Sequence, residues 1–345
     1  MQKFETESSM ALLGISSPSC EIDSRQVTEV VARIRTESSR NDSPVTEKEL
    51  KQLFALTDLT TLSPVDNAKS VGRLAEKIRY LQKHAPLLPP LGGICIPGDA
   101  AARTAEVLRE SPTRVSTVVN FPLGHSPLES VLREVEIRLE EGVGEIDLVF
   151  PLNRYLAGEP DEQLVEFVSS VKHCCMHHSA YLKTIIQSDE LEVGARQGDQ
   201  TVIDHIARLT RISFSGGSDL VKTSTGKGNG KGASLEAAAT ICLMAKCFRD
   251  QTNYQEVVGH APGAKYSGGI SDTKTASEFL RLHSEILGEN ALCCEMFRFG
   301  ASRLVGTVLA EMLTCDSELA HQLAELEVDS AFFSESGSIS RPTNY

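Results

Sequence analysis

The segment from Val221 to Gly228 contains the strongest chemical signal in this sequence of 345 residues. Lys222 follows a short apolar run and precedes a stretch rich in hydroxyl groups and glycine, Thr223-Ser224-Thr225-Gly226-Lys227-Gly228. A lysine that has lost its proton inside a folded core is a nucleophile toward carbonyl carbon, and glycine-rich turns present backbone N–H groups to phosphate. The segment therefore predicts an imine-forming amine that acts on a phosphorylated carbonyl compound. The alternative interpretation is a strand-end lysine that extends to solvent before an ordinary turn.

A second lysine repeats this arrangement. Lys265 follows small residues and precedes the pair Gly268-Gly269, on which an anion could rest. Two lysines in one pocket repel each other, and the loss of one proton relieves the repulsion. We therefore expect Lys222 to be the neutral nucleophile and Lys265 to be the cation that keeps it neutral.

The charge balance argues against several classes of partner. The formal net charge is -13 and the isoelectric point is near 5.2. Basic runs interleaved with aromatic residues, which are typical of nucleic-acid binding, do not occur, so the expected partners are small molecules. No apolar run approaches the ~18 residues of a membrane span, and Glu5 and Glu7 lie where a signal peptide has basic residues. We expect a cytoplasmic protein.

The nine cysteines do not have metal-ligand spacing. No C-x-x-C pair occurs, and the cluster Cys174-Cys175 with His177-His178 lies near the end of a helical pattern. We predict reduced, mostly buried thiols and no metal site.

Strand-like and helix-like segments alternate along the chain and predict a parallel (β/α)8 TIM barrel. Ser126-Pro127-Leu128-Glu129, for example, resembles a capping box at the start of an amphipathic helix. We expect the barrel over residues 46–315, a weakly structured N-terminal extension over 1–45, and an acidic helix with a C-terminal tail over 316–345. The eight strand candidates are Leu53 to Leu59, Gly92 to Ile96, Val115 to Phe121, Glu145 to Phe150, Tyr181 to Gln187, Asp219 to Thr223, Ala264 to Gly268 and Phe297 to Gly300.

Charged residues inside these strands give an independent indication of a site. In a parallel barrel, an ionisable residue among apolar neighbours has to point into the interior or lie at the strand end. Asp147, Lys183, Lys222 and Lys265 meet this condition on four successive strands, and Asp58 adds a carboxylate on the first. Such a cluster is costly unless its members are paired, which is typical of an active site at the C-terminal mouth of a barrel.

A set of short segments in a fixed order is the most specific pattern in the chain. The segments are Asp58 to Leu62, Ile94 to Ile96, Val119 to Gly124, Glu145 to Pro151, Leu182 to Ile186, Val221 to Lys227 and Arg298 to Ser302. In these segments the chain resembles deoxyribose-phosphate aldolase, a class I aldolase family with a (β/α)8 barrel, and the resemblance extends from about Leu56 to about Val308. This resemblance implies reversible cleavage of 2-deoxy-D-ribose 5-phosphate to acetaldehyde and D-glyceraldehyde 3-phosphate through a lysine Schiff base. It also implies no metal or cofactor, a homo-oligomer and a role in deoxyribonucleotide breakdown.

The resemblance also implies roles for individual residues. Lys222 matches the Schiff-base lysine, Lys265 the second lysine, and Asp147 the carboxylate that transfers protons through water. The positions that match substrate contacts are Asp58, Cys95, Lys183, Thr225 and Tyr345. The positions that match phosphate contacts are Gly226, Lys227, Gly268, Gly269, Gly300 and Ser302. The alternatives are plain packing for Cys95, a structural ion pair for Asp58 with Lys183, and a free tail for Tyr345.

The chain departs from the family pattern near the expected phosphate site. Tyr266-Ser267 stands where Pro-Ala is common, Ser271 where an arginine is common, and Arg303 where a small hydroxyl residue is usual. Arg303 could replace the missing charge. Two other functions therefore remain open: a Schiff-base aldolase with a different donor, and a catalytically weak relative that serves as a binding or scaffold protein.

Overall fold

Eight parallel strands pair in sequence order and close into a barrel. The structure is a computed structural model that describes residues 12–40, 43–194 and 201–333. β1 pairs with β2 on one side and with β8 on the other, which closes the ring. The prediction of a (β/α)8 barrel is confirmed. The strands are β1 (Thr57–Thr60), β2 (Gly93–Ile96), β3 (Arg114–Val119), β4 (Glu145–Val149), β5 (Tyr181–Ile185), β6 (Leu220–Lys222), β7 (Gly263–Ser267) and β8 (Phe297–Ala301).

Helices follow the strands and cover the outside of the barrel. Two helices precede β1, namely α1 (Ser24–Arg40) and α2 (Glu47–Ala55). The others are α3 (Ala68–His84), α4 (Ala101–Val107), α5 (Leu128–Glu140), α6 (Leu152–Leu156), α7 (Asp161–His177), α8 (Ser188–Gly194), α9 (Val202–Ser215), α10 (Leu235–Gln251), α11 (Tyr254–Val258), α12 (Thr273–Leu287), α13 (Leu304–Met312) and α14 (Glu318–Glu325).

Two local predictions differ from the structure. Residues 53–55, expected to begin the first strand, end α2 instead, because Thr46 caps that helix and Leu50, Leu53 and Phe54 form its buried face. The expected capping box at the start of α5 is absent: α5 begins at Leu128 after Pro127, with no side-chain cap. The Ser126 backbone N–H is held by the Asn120 side chain at 2.9 Å, which orients this connection.

Residues 24–40 are more ordered than the sequence interpretation suggested. They form α1, a helix of 17 residues that packs against α10 and α12 and buries Val27, Val31 and Ile34. The helical spacing of these residues makes one apolar stripe, and burying it stabilises the attachment. The expectation of a weakly structured extension is therefore wrong for this stretch.

A disulfide joins Cys20, just before α1, to Cys247 on α10. The expectation of reduced thiols is wrong for these two residues; the seven other cysteines are free. In the described part of the chain, no group of His, Cys, Asp or Glu has the arrangement of a metal site. None of the described helices is long and apolar enough to cross a membrane.

Candidate active site

The pairing register of the strands aligns charged residues inside the barrel. Lys222 on β6 is the register partner of Lys265 on β7, and Asp147 on β4 is the register partner of Lys183 on β5. Strand side chains alternate between the two faces, so these residues occupy interior positions while their apolar neighbours pack against the helices. All four are buried, and ion pairs to Asp147 join the three lysines. Of the four, Lys222 alone also lies on the described wall of a cavity at the mouth of the barrel.

Asp147 is the centre of this cluster. Its Oδ2 atom lies 2.8 Å from Lys222 Nζ and 2.9 Å from Lys265 Nζ, and its Oδ1 atom lies 3.1 Å from Lys183 Nζ. Burial alone would raise the pKa of Asp147, but the three ammonium groups outweigh it and hold the pKa well below its ordinary value. The carboxylate is therefore ionised at neutral pH.

Asp58 on β1 forms a second centre. Its Oδ2 atom lies 2.5 Å from Lys265 Nζ and 3.2 Å from Lys183 Nζ, and its Oδ1 atom lies 2.5 Å from Arg298 Nη1. Burial alone would raise the pKa of Asp58. The charges of Lys183, Lys265 and Arg298 lower it by more, so the net shift of the pKa is downward. The ion pair of Asp58 with Lys183 matches one of the alternatives that the sequence left open.

Lys183 and Lys265 each contact more than one carboxylate. Burial would lower the pKa of both ammonium groups. For Lys265 the charges of Asp147 and Asp58 reverse this effect and raise the pKa well above its ordinary value. For Lys183 the same two carboxylates and Glu145 raise the pKa. Both side chains are fixed cations at neutral pH.

Glu145 and Arg298 belong to the cluster but were not predicted. Lys183 Nζ donates to Glu145, and Arg298 Nη2 lies 3.1 Å from Glu145 Oε1. A signal for both was present in the sequence. Glu145 lies two residues before Asp147 on β4, hence on the same strand face, and Arg298 is the only charged residue between Phe297 and Gly300.

The buried cluster contains one more basic than acidic side chain. The bases are Lys183, Lys222, Lys265 and Arg298, and the acids are Asp58, Glu145 and Asp147. At its edge, Arg114 also approaches Glu145, but it is partly exposed and has its own partner in Glu295. An unbalanced charge inside a barrel is costly, and the loss of one lysine proton would balance this cluster.

A cavity of about 390 Å³ opens above Lys222 at the C-terminal ends of the strands. Lys222, Lys227 and Arg303 line it, and no Asp or Glu is among the described residues of its wall. The remaining wall is formed by loops rich in glycine and hydroxyl groups. A neutral or anionic small molecule fits this lining, because backbone N–H groups and cations both favour negative charge. The predicted positions that line it are Thr225, Gly226, Lys227, Gly268, Gly269, Gly300 and Ser302.

The glycine-rich segment that follows β6 is held in position by two contacts. The Glu190 carboxylate on α8 accepts the backbone N–H of Asn229 at 2.6 Å and that of Gly230 at 3.3 Å. Gly232 then lies against Gly268, so closely that a Cβ at Gly232 would be 2.3 Å from the Gly268 carbonyl carbon. Both glycines have a φ of +89°. This contact brings the loops after β6 and β7 together at the cavity.

Other predicted residues lie beneath or away from the cavity. Cys95 is fully buried with its Sγ 3.7 Å from Asp147 Oδ2, and burial and that carboxylate raise the pKa of the thiol. Asp58 and Lys183 lie below the cavity, not on its described wall. Tyr345 lies outside the described residues.

The departure at Tyr266 does not reach the cavity. Tyr266 points toward the helices, where its hydroxyl lies 2.9 Å from Cys242 Sγ on α10 and 2.9 Å from His283 Nδ1 on α12. Burial keeps His283 neutral by lowering its pKa to about 3. Of the unusual residues, only Ser267, Ser271 and Arg303 line the cavity.

A barrel with buried lysines below an anion-favouring cavity at its C-terminal mouth has the construction of a carbonyl-processing enzyme. Residues 90–287, more than half of the chain, match the family model of the DeoC/LacD family aldolases. The chain belongs to this aldolase family.

Several solved structures have a similar fold. A proposed deoxyribose-phosphate aldolase from Toxoplasma gondii ME49 is 20% identical, with a TM-score of 0.64 over 79% of this chain and 96% of that one. One from Coccidioides immitis is 19% identical, with a TM-score of 0.58 over 84% and 97%. The tetrameric deoxyribose phosphate aldolase from Aeropyrum pernix is 19% identical, with a TM-score of 0.53 over 83% and 97%. At these identities the likeness concerns the fold.

Proposed function

We propose that this aldolase reversibly cleaves 2-deoxy-D-ribose 5-phosphate to acetaldehyde and D-glyceraldehyde 3-phosphate through a Schiff base on Lys222. The observation that carries the proposal is the position of Lys222, which is the lysine of the buried cluster that lines the cavity. It has one carboxylate partner, Asp147, whereas Lys265 has two and Lys183 has three. Lys222 therefore has the fewest carboxylate partners of the three lysines in the buried cluster, and we assign it the role of the nucleophile.

The neutral amine starts the reaction. Lys222 Nζ attacks the aldehyde carbon C1 of the open-chain sugar, and loss of water leaves a protonated imine. Removal of the proton from the C3 hydroxyl breaks the C2–C3 bond, and the electron pair moves into the imine to form an enamine. D-Glyceraldehyde 3-phosphate leaves. Protonation of the enamine at C2 and hydrolysis of the imine then release acetaldehyde and restore the lysine.

Asp147 and Lys265 have complementary parts in the proton transfers. Asp147 Oδ1 accepts no hydrogen bond among the described side chains, although Lys183 is in ion-pair contact with it, so it can accept one from a water molecule or a substrate hydroxyl. Its basicity increases when Lys222 becomes neutral, because one of three nearby positive charges disappears. Lys265 stays protonated and opposes the return of a proton to Lys222.

The substrate's phosphate would occupy the part of the cavity formed by the loops after β6, β7 and β8. Lys227 and Arg303 supply positive charge there, and Gly268, Gly269 and Gly300 allow close approach of backbone N–H groups. The site lies where phosphate is commonly bound in barrels of this architecture. Since its wall carries no described carboxylate, repulsion of a dianion is small.

Trapping with borohydride tests the Schiff base directly. Acetaldehyde and sodium borohydride should convert Lys222 to a stable N-ethyl lysine that peptide mass spectrometry detects. Lys222→Leu should lose both this adduct and turnover. Lys227→Leu is the matched control, since it removes another cavity lysine but should keep the adduct. If the wild-type protein forms no adduct, the scaffold function is favoured.

A cleavage assay tests the substrate. Formation of D-glyceraldehyde 3-phosphate from 2-deoxy-D-ribose 5-phosphate should be at least an order of magnitude more efficient than from a ketose phosphate donor. A preference for the ketose phosphate would favour an aldolase with a different donor. We also propose a homo-oligomer, by analogy with the tetrameric neighbour, and light scattering in solution tests it.

A further inference from the structure

Arg298 forms ion pairs with Asp58 and Glu145 inside the barrel, and it contacts neither Lys222 nor the described wall of the cavity. Arg298 Nη1 lies 2.5 Å from Asp58 Oδ1, and Arg298 Nη2 lies 3.1 Å from Glu145 Oε1. Arg298 Nε donates to the carbonyl oxygen of Cys294 at 2.7 Å. The guanidinium is thus fixed on three sides, with its side chain fully buried.

A glycine leaves the space for this arrangement. A Cβ at Gly93 would lie 2.5 Å from Asp58 Oδ1 and 3.1 Å from Arg298 Nη1. The 2.5 Å separation is shorter than a Cβ contact allows, so a side chain at position 93 would have to displace the Asp58 carboxylate. Gly93 on β2 therefore leaves the space that the Asp58–Arg298 contact occupies.

Glu145 and Asp58 connect Arg298 to the groups proposed to react, through their contacts with Lys183 and Lys265. Lys183 lies between Glu145, Asp58 and Asp147, and Lys265 lies between Asp58 and Asp147. Glu145 and Arg298 therefore influence Asp147 and Lys222 through the two intervening lysines. Charges in a desolvated cluster are screened little, so the influence extends beyond direct contact.

We infer that Glu145 and Arg298 are a positioning pair that sets the pH at which Lys222 becomes neutral. This inference rests on the proposed Schiff-base function and names further residues for it. Glu145 contributes a negative charge that favours protonated lysines, and Arg298 contributes a positive charge that opposes them. Arg114 on β3 also lies 3.3 Å from Glu145, but it has a second partner in Glu295 and remains charged in every variant. With both present, the cluster keeps a surplus of one positive charge, which the loss of one proton from Lys222 balances.

The two members of the pair predict shifts of opposite sign. Glu145→Gln removes a negative charge, so the acid limb of the kcat/KM profile should move to lower pH by about one unit. Arg298→Gln removes a positive charge, so the same limb should move to higher pH by about one unit. The double variant E145Q/R298Q removes one charge of each sign and should bring the limb back toward the wild-type position. A purely structural role would lower activity in all three without opposite shifts.

Controls separate charge from stability. Arg298→Lys keeps the positive charge, so the acid limb of its kcat/KM profile should stay at the wild-type pH even if the melting temperature is lowered. Lys172→Met removes a buried cation that is bonded to Asp219 outside the cluster, and it should lower stability while leaving the limb in place. If one single Gln variant does not fold, the other single variant and the double variant still decide the question, because the inference requires the limb of the double variant to lie closer to the wild-type position than the limb of that single variant.

A second measurement does not depend on aldolase activity. Carbamylation of Lys222 by cyanate, followed by peptide mass spectrometry across a pH series, reports the fraction of neutral amine. The pH at which half of Lys222 reacts should be lowest in E145Q, intermediate in wild type and the double variant, and highest in R298Q. Equal profiles in all four proteins overturn the inference. Failure of borohydride trapping in the wild-type protein, with the cyanate order retained, overturns the proposed function alone.

Discussion

Lys222 and Lys265 share one oxygen atom, Asp147 Oδ2, at 2.8 and 2.9 Å. They are register partners on adjacent strands, so the backbone pairing of β6 with β7 determines their proximity. The two ammonium groups compete for one acceptor, and Lys265 has a further carboxylate in Asp58 whereas Lys222 does not. This asymmetry is a physical reason for two lysines of the same type to have different tasks.

Gly93→Ala should damage both stability and catalysis, because the added Cβ meets Asp58 Oδ1 at 2.5 Å and Arg298 Nη1 at 3.1 Å. We expect a loss of about 2–3 kcal/mol in the free energy of unfolding, as for overpacked cores. Urea denaturation measures it. Gly144→Ala is the matched control, since no atom lies within 4 Å of its added Cβ. Equal effects of the two substitutions would contradict the close packing at Gly93.

Arg303→Ala should weaken the binding of the phosphorylated substrate and leave that of the unphosphorylated sugar nearly unchanged. Arg303 lines the cavity next to Ser302 and is the residue immediately before α13. Losing one partly exposed charge-assisted contact should raise KM for 2-deoxy-D-ribose 5-phosphate about tenfold and change kcat little. Unphosphorylated 2-deoxy-D-ribose is the control substrate. A similar loss for both sugars would remove Arg303 from the phosphate site.

Ser271→Arg should have the opposite effect. Ser271 also lines the cavity, so a longer cationic side chain there can reach the same anion. We expect KM for the phosphorylated sugar to fall about threefold to tenfold, with little change for the unphosphorylated one. In the Arg303→Ala background, Ser271→Arg should recover most of the lost affinity. Competition by inorganic phosphate provides an independent measurement, and unchanged inhibition constants would contradict the prediction.

Glu190→Ala should release the glycine-rich segment, because this carboxylate accepts the N–H groups of Asn229 and Gly230. We expect KM for the phosphorylated sugar to rise about tenfold, the equivalent of one lost charge-assisted hydrogen bond. Glu192→Ala, on the same helix but bonded to Ser234, is the control and should leave KM near wild type. Faster hydrogen exchange at 226–232 in Glu190→Ala alone would support the same conclusion.

His260→Gln should destabilise the protein more at acidic than at alkaline pH. His260 Nε2 lies 2.7 Å from Asp219 Oδ1; burial alone would lower the pKa of His260, but this carboxylate raises it above the ordinary value. Because its pKa is raised in the folded state, protonated His260 stabilises the fold fully below about pH 6.5. This stabilisation disappears as the pH rises through the folded-state pKa.

The measurement is urea denaturation of wild type and His260→Gln at about pH 5.5 and about pH 8.5. Two other groups contact His260 or Asp219, and neither changes the expected sign of the pH dependence. Lys172 bonds Asp219 in both proteins, and Tyr181 stacks on the His260 ring with centroids 4.9 Å apart. A difference between the proteins that grows toward alkaline pH would contradict the sign derived above.

The element pattern and most of the site could be predicted because they depend on local sequence. Alternating strand and helix periods with short connections leave few topologies, and the barrel is one of them. Asp147, Lys183, Lys222 and Lys265 were predicted because a charge between apolar strand residues has to face the interior. Where apolar spacing fits a helix as well as a strand, as at Leu53 and Phe54, the prediction failed.

The sequence by itself determined the barrel, the strands that carry charge and the glycine-rich loops, since each follows from residue type and period. Only the tertiary structure decided which charges touch. Glu145 and Arg298 are 153 residues apart, and Cys20 and Cys247 are 227 apart, so strand register and helix packing alone bring each pair together. The same closure of the barrel joins Lys222, Lys265 and Asp147 at one oxygen atom, because contacts between distant segments form only when all eight strands are in register.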